Sequence, residues 1–386
     1  MYELNRRAMT IPGEKLVEEL ECAIQRKQEV LEERDRKYGA DRVKIHSYGE
    51  NIYMPETFGF DMRDYYKDAE LALDIELRNR IFWLDNSHDD GNSSLRFGTT
   101  ASMYFDITLF GVKINYTRDG VPNMQPHPLS EKADLSLIEP FDFYKRGEMP
   151  LLLYQYEAFK RLGKERYGDK LHFSFPYFKR GPLDILISLR GYENFVDDVF
   201  ENPEFVHEAL DLIVERRYEF NKAAKKYLGE EFVKSSTRID DDWINFPFIT
   251  PDMFHEFVVP AYRKIADNEG TVRGFHTCGI LEPIAKDLVE LFPELNSLDI
   301  SGWNDAAKLD AVLPEHMAFW VNFVNTFVLT GTRQQHIEKL ESLKKIGQKR
   351  KLGLCAQALV RLHPTLDESY GIMNDFIDLA HEVLYS

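Results

Sequence analysis

Three residues have the types and spacing to do metal chemistry: His276, Cys278 and Cys355. The first two lie in Gly274-Phe275-His276-Thr277-Cys278-Gly279, which leaves an extended segment and runs toward a helical pattern starting near Leu281. Alternate side chains of a strand share a face, so His276 and Cys278 present an imidazole nitrogen and a sulfur together while Thr277 points away. Gly279 permits a tight turn after them. Imidazole and thiolate suit zinc, and a catalytic zinc commonly keeps three protein ligands and one open position. Cys355 is the obvious third ligand. A His-x-Cys pair also arises by chance, and buried free cysteines are common, so the weight of the pair depends on where the fold puts it.

The elements that must position these residues can be read from periodicity. Residues 13–38 carry a charged helical pattern with Leu16, Leu20, Ile24 and Leu31 as its apolar stripe, Cys22 as an inert member of that stripe and Gly39 as its stop. Residues 40–130 are irregular, with β-like runs at 42–47, 101–109 and 112–116 and a turn cluster, Asp89-Asp90-Gly91-Asn92. From about residue 150 helices and strands alternate. Strands are expected at 171–178, 232–239, 272–275, 297–300, 318–323 and 352–354, each followed by a helical pattern. This spacing predicts βαβ units and a parallel sheet. With roughly eight units, a closed (β/α)8 TIM barrel is favoured over an open doubly wound sheet. Residues 1–130 form an N-terminal helical and irregular extension capping the barrel, and 131–386 the barrel region of the same domain. No Gly-x-Gly-x-x-Gly or Walker-type loop follows a strand, which argues against a nucleotide fold.

In such barrels the active site lies at the C-terminal ends of the strands. His276 and Cys278 leave one strand end and Cys355 another, Asp240, Asp241 and Asp242 follow a third, and Asp299 and Asn322 mark two more. We assign Asp240 and Asp241 to acid–base work, and Asp242, Asp299 and Asn322 to contacts with substrate. A triple Asp also suits a solvated loop or a helix N-cap, and Asp299 and Asn322 suit barrel-end backbone groups. His46, His88, His127, His172, His207, His255, His316, His336, His363 and His381 lack metal spacing and read as surface or packing residues.

Composition narrows the partners. A net charge of −17 excludes the basic footprint that nucleic acid or an anionic membrane needs. No apolar run is long enough to span a bilayer, the first residues carry no signal core, and three scattered cysteines form no disulfide framework, so the expectation is a soluble cytoplasmic protein. The sequence leaves open whether it forms a homodimer.

From about Phe175 onward the chain resembles the uroporphyrinogen decarboxylase superfamily, in particular its zinc-dependent, corrinoid-linked methyltransferase branch. The motifs are Gly181-Pro182-Leu183 with Gly191-Tyr192-Glu193, the run from Asn202-Pro203-Glu204 to His207, the run from Thr250-Pro251-Asp252 to Pro260, His276-Thr277-Cys278-Gly279, and Ser297-Leu298-Asp299. The resemblance implies that His276, Cys278 and Cys355 hold Zn2+. It implies methyl transfer between a substrate heteroatom and the cobalt of a corrinoid (cobalamin). The chain has no Asp-x-His-x-x-Gly pattern, so the corrinoid would arrive on a corrinoid-binding protein docked over the barrel mouth. Aromatic richness favours a methoxylated aromatic as the small-molecule methyl donor; a thiol acceptor resembling coenzyme M is the alternative. A true decarboxylase needs an N-terminal arginine-rich segment with a Met-Arg-Gln-type motif, which is not found, and has no use for the second cysteine. Two other readings stay open. A metal-free decarboxylase-like enzyme would crowd the mouth with basic residues, and a non-catalytic binding protein would close the zinc with a fourth ligand such as Asp240 or Asp299.

Overall fold

The computed structural model describes all residues except 1–2, 50–53, 92, 119, 121, 126–127 and 359–364, so His127, His363 and Asn92 lie outside the described residues. Among the described residues, ten strands occur in chain order: β1 (Lys44–Gly49), β2 (Arg96–Gly98), β3 (Ile114–Asn115), β4 (Asn123–Met124), β5 (His172–Ser174), β6 (Ser235–Asp240), β7 (Gly270–Thr277), β8 (Ser297–Ser301), β9 (Ala318–Phe323) and β10 (Leu352–Ala358). Six form one parallel sheet in the order β1-β10-β9-β8-β7-β6, and β2 pairs in parallel with β5. After β5 the chain rejoins that sheet through a parallel bridge between Arg180 and Asp240, with Gly181 N donating to Asp240 O. β3 and β4 are a small antiparallel pair outside this arrangement. The result is a (β/α)8 TIM barrel.

Within the first 130 residues, β1 from Lys44 pairs in parallel with β10 and so belongs to the main sheet, and β2 pairs with β5. The apolar run at 101–109 is not a strand but a short 3-10 turn, Thr100–Met103, and a helical turn, Phe105–Thr108. Phe105, Ile107, Leu109 and Phe110 are all buried, and a run buried on every side carries no period that separates strand from helix. Cys22 also departs from expectation: it is exposed, off the face on which Leu16, Leu20 and Ala23 are buried.

The period-2 alternation of the strands builds the site. Ile239, Phe275, Leu298, Phe319 and Leu352 are register partners from β6 across to β10, and each is buried toward the surrounding helices. The next residue on each strand therefore faces the lumen. That inward ring reads Asp240, His276, Asp299, Trp320 and Gly353. Trp320 fills the lumen floor because Gly353 has no side chain: a Cβ there would meet the indole Cε3 at 2.3 Å.

The free edge of β1 is met by side chains of the segment after it. Asp90 N donates to Ile45 O, while Ile45 N and Ser47 N donate to Asp90 Oδ2 (2.9 Å) and Asp89 Oδ2 (2.8 Å). Buried carboxylates need paired cations, and Lys27 meets Asp89 at 3.0 Å while Arg34 and Arg42 meet Asp90 at 2.9 and 2.7 Å. The apparent turn cluster is thus a strand surrogate. Burial alone would raise the Asp90 pKa, but His381, Arg42 and the Ile45 amide outweigh it and hold the carboxyl well below the usual carboxylate range. A depressed folded pKa gives stability that is present above the unfolded value, about 3.9, and lost as pH falls below it. Asp90→Asn should therefore cost about 1–3 kcal/mol at neutral pH and flatten the acid limb, read from urea unfolding between about pH 7 and pH 3.

Candidate active site

The ends of β6, β7 and β8 bring the acids and the His-x-Cys pair together. His276 Nε2 lies 3.4 Å from Cys278 Sγ and 3.2 Å from Asp242 Oδ1, and the three donor atoms lie within 4.8 Å of one another. Around a tetrahedral zinc, with bonds of about 2.0–2.1 Å to nitrogen or oxygen and 2.3 Å to sulfur, neighbouring donors stand about 3.4–3.6 Å apart. Both distances from His276 Nε2 match that spacing to within a few tenths of an ångström. Cys278 N also donates to Asp242 Oδ1 at 3.0 Å, which ties the loop after β6 to the end of β7.

The far side of the imidazole is equally specific. Nδ1 lies 3.1 Å from Asp299 Oδ2, within ion-pair range but out of line for a hydrogen bond. Metal-bound histidines commonly face a carboxylate on their other nitrogen, which fixes ring orientation. Asp299 is itself held by Arg238 Nη2 at 2.9 Å and by the Asn322 amide. Burial would lower the His276 pKa, but Asp242, Asp299 and Cys278 outweigh it and push it up to about 12, while His276 in turn helps hold Asp242 down at about 2 against its own desolvation.

Cys355 does not belong to the close cluster among the described residues. It does face the same lumen: its register partner on β9 is Asn322, whose partner on β8 is Ser301. That ladder, extended one residue beyond the pairing of Thr277 with Ile300, puts Cys355 at the level of Cys278, three strands away. Its thiol is half-buried, and burial pushes its pKa up to about 12.

The three consecutive acids have different environments. Asp240 lines the cavity with both oxygens engaged, by Arg238 at 2.5 Å and Lys179 at 2.6 Å. Asp241 is fully buried. Its carboxylate accepts from Leu183 N (3.2 Å), Asp184 N (2.9 Å) and the Tyr262 hydroxyl (3.0 Å), and so caps the helix Pro182–Arg190 from the adjacent end of β6. Gly181 is required there, since a Cβ would meet Asp241 Cγ at 2.2 Å. Asn322 donates to Asp299, and Asp299 in turn faces His276 Nδ1, so this pair supports the imidazole.

A cavity of about 420 Å³ opens beside His276, lined among others by Phe105, Asp106, Tyr177, Lys179, Arg180 and Asp184. Sequence reading singled out none of these six as site residues. The Gly181-Pro182 motif was the one available signal, since a Pro-started helix N-terminus at a strand end points its first turn at the mouth.

Residues 45–352 match the family profile of uroporphyrinogen decarboxylase (URO-D). The chain belongs to the uroporphyrinogen decarboxylase family. No curated protein matches the sequence. Among solved structures, a methyltransferase from Methanosarcina mazei superposes with a TM-score of 0.60, covering 90% of this chain and 95% of that one at 19% identity, a likeness that shows the shared fold. No described helix of this uroporphyrinogen decarboxylase family member is long and apolar enough to cross a membrane.

Proposed function

We propose that this family member is a methyltransferase that moves a methyl group between a substrate heteroatom, most simply a methyl ether on an aromatic ring, and the cobalt of a corrinoid carried by a partner protein. The observation that carries the reading is the convergence of His276 and Cys278, at zinc-like spacing with Asp242, on the C-terminal rim of the barrel. Zinc would be held by His276, Cys278 and Cys355, with Asp242 at the position where substrate enters. A bound zinc supplies Lewis acidity at the substrate heteroatom. The chain's own residues do the rest. Asp299 and Arg238 orient the imidazole. The aromatic faces of Phe105 and Tyr177 line the cavity that would seat an aryl group.

The charge of the cavity argues against a polycarboxylate substrate. Four aspartates, Asp106, Asp184, Asp240 and Asp242, line it with two strong cations, Lys179 and Arg180. Both cations are already engaged: Lys179 with Asp240, and Arg180 with Asp106 (3.0 Å) and Asp184 (2.8 Å). Such a lining repels carboxylates and accepts a neutral ether. Asp240 and Asp299 are committed to Lys179, Arg238 and Asn322, so among the described residues Asp242 is the carboxylate beside the His276–Cys278 pair.

The test is to incubate zinc-loaded protein with cob(I)alamin and a panel of methoxylated aromatics, methylamines and thiols while following the cobalt spectrum. Methylation by at least one methoxylated aromatic is expected. Protein that retains no zinc and changes no cobalt spectrum would end this reading.

A further inference from the structure

We propose that Asp184 is the proton donor to the leaving oxygen. This rests on the methyl-ether reading of the site and adds to it the residue that completes the reaction. Asp184 sits in the first turn of the helix Pro182–Arg190, at the mouth of the barrel, and lines the same cavity as His276 and Asp242. Its backbone N–H is fixed by Asp241, so the turn that carries it is anchored to the end of β6. One carboxyl oxygen, Oδ2, is held by Arg180 Nη1 at 2.8 Å. The other, Oδ1, accepts no hydrogen bond from any described residue and is available to a ligand.

Every other carboxyl near the cavity is otherwise committed. Asp106 accepts from Arg180 Nε with Oδ2 and from the Ile107 amide with Oδ1. Asp240 is divided between Arg238 and Lys179, and Asp299 among Arg238, His276 and Asn322. Asp242 stands among the candidate metal donors, and Asp241 is walled off. Among the described residues, Asp184 alone combines a place on the cavity wall, a free oxygen and separation from those donors.

Its surroundings suit a group that carries a proton near neutrality. Arg180 faces it from its own segment, Asp106 from the helical turn Phe105–Thr108, and Asp241 and Asp242 from the loop after β6, with Tyr262 behind Asp241. Burial raises the Asp184 pKa, Arg180 lowers it, and Asp242 and Asp106 raise it again, leaving it at about 6. A general acid works best with a pKa close to the working pH.

The step balances without a further reactant. The O–CH3 bond breaks with its electron pair left on oxygen, and the methyl group bonds to the electron pair of the reduced corrinoid cobalt that the proposed reaction supplies. The proton passes from Asp184 to that oxygen. A neutral phenol or alcohol leaves, and the ionised carboxylate, held by Arg180, is reprotonated from solvent.

The experiment compares wild type with Asp184→Asn, both zinc-loaded, in single turnovers with cob(I)alamin and a series of para-substituted methoxybenzenes. For electron-rich rings, whose phenolates leave poorly, the variant should be slower by about 10²–10³-fold. For a nitro-substituted ring, whose phenolate needs no proton, it should be slower by less than about 5-fold. The wild-type rate should fall on an alkaline limb that the variant lacks, and Asp184→Glu should restore part of the rate. Parallel leaving-group dependence in wild type and Asp184→Asn would overturn the proton role and leave the methyltransferase reading standing. No methyl transfer from any ether by wild type would overturn both. A second readout needs no turnover: the infrared difference between wild type and Asp184→Asn should contain a protonated-carboxyl band at about pH 5 that is gone by about pH 7.5. Absence of that band overturns the proposal, and Asp184→Ser takes the place of the Asn variant if that one does not fold.

Discussion

His276→Ala should strip zinc from the purified protein and lower methyl transfer by at least about 10³-fold, since both the ion and its orientation depend on that imidazole. Metal analysis alongside single-turnover methylation of cob(I)alamin reads both effects. Cys278→Ala should behave alike, because its sulfur is the donor 3.4 Å from Nε2. Two further variants decide the third ligand. Two thiolates and a neutral imidazole cancel the charge of the ion and leave one position open, which predicts that Cys355→Ala loses zinc and Asp242→Asn keeps it. The opposite pattern, with zinc retained in Cys355→Ala and lost in Asp242→Asn, would hand the third position to the carboxylate already beside the pair. Binding should also strengthen as pH rises, because in the metal-free protein His276 is held protonated by Asp242 and Asp299 and the Cys355 thiol by its burial. Each proton must leave before its atom can ligate. Competition with a chromophoric chelator at about pH 6 and about pH 8 checks this, and zinc affinity that ignores pH would contradict it.

Much of this site was legible in the sequence because it follows two simple periods. Strand alternation put His276 and Cys278 on one face, and the βα rhythm led to Asp240–Asp242, Asp299, Asn322 and Cys355; Asp240 ends β6 with Asp241 and Asp242 just after it, while Asp299, Asn322 and Cys355 lie within β8, β9 and β10. What stayed hidden depends on contacts distant in sequence. Nothing local distinguishes the buried Asp241, which caps a helix some sixty residues upstream, from its neighbours Asp240 and Asp242. Asp89 and Asp90 read as a turn because the strand they complete is made of side-chain oxygens, which no backbone period encodes. Asp184 and Arg180 were missed for a related reason: their chemistry comes from Asp106, seventy-four residues from Arg180, and from a cavity that exists only once the barrel is formed.

Arg217→Met should cost about 3–5 kcal/mol of stability, the usual consequence of leaving a buried charge without its partner. Arg217 is fully buried in the long helix Pro203–Tyr227, and its guanidinium meets Glu269 with Nε at 2.7 Å and Nη2 at 2.8 Å. It also donates to Lys179 O, Arg180 O and Arg238 O, so one side chain joins the segment after β5 to β6 just where no regular ladder does so. Thr237, Tyr177 and Asn221 complete the coordination of Glu269. Burial would raise the Glu269 pKa, but Arg217 and these donors outweigh it and keep it below its ordinary value. Removing only the guanidinium leaves that carboxylate ionised and dry; removing both charges, in Arg217→Met with Glu269→Gln, should recover part of the loss. Urea unfolding of the two singles and the double gives the coupling, and an additive cycle would mean that the pair contributes through packing alone. Because Lys179 and Arg180 hang from the carbonyls that Arg217 holds, the single variant should also lower the methyl-transfer rate at temperatures where it remains folded. Loss of stability without that loss of rate would show that the segment keeps its place through the Arg180–Asp240 bridge.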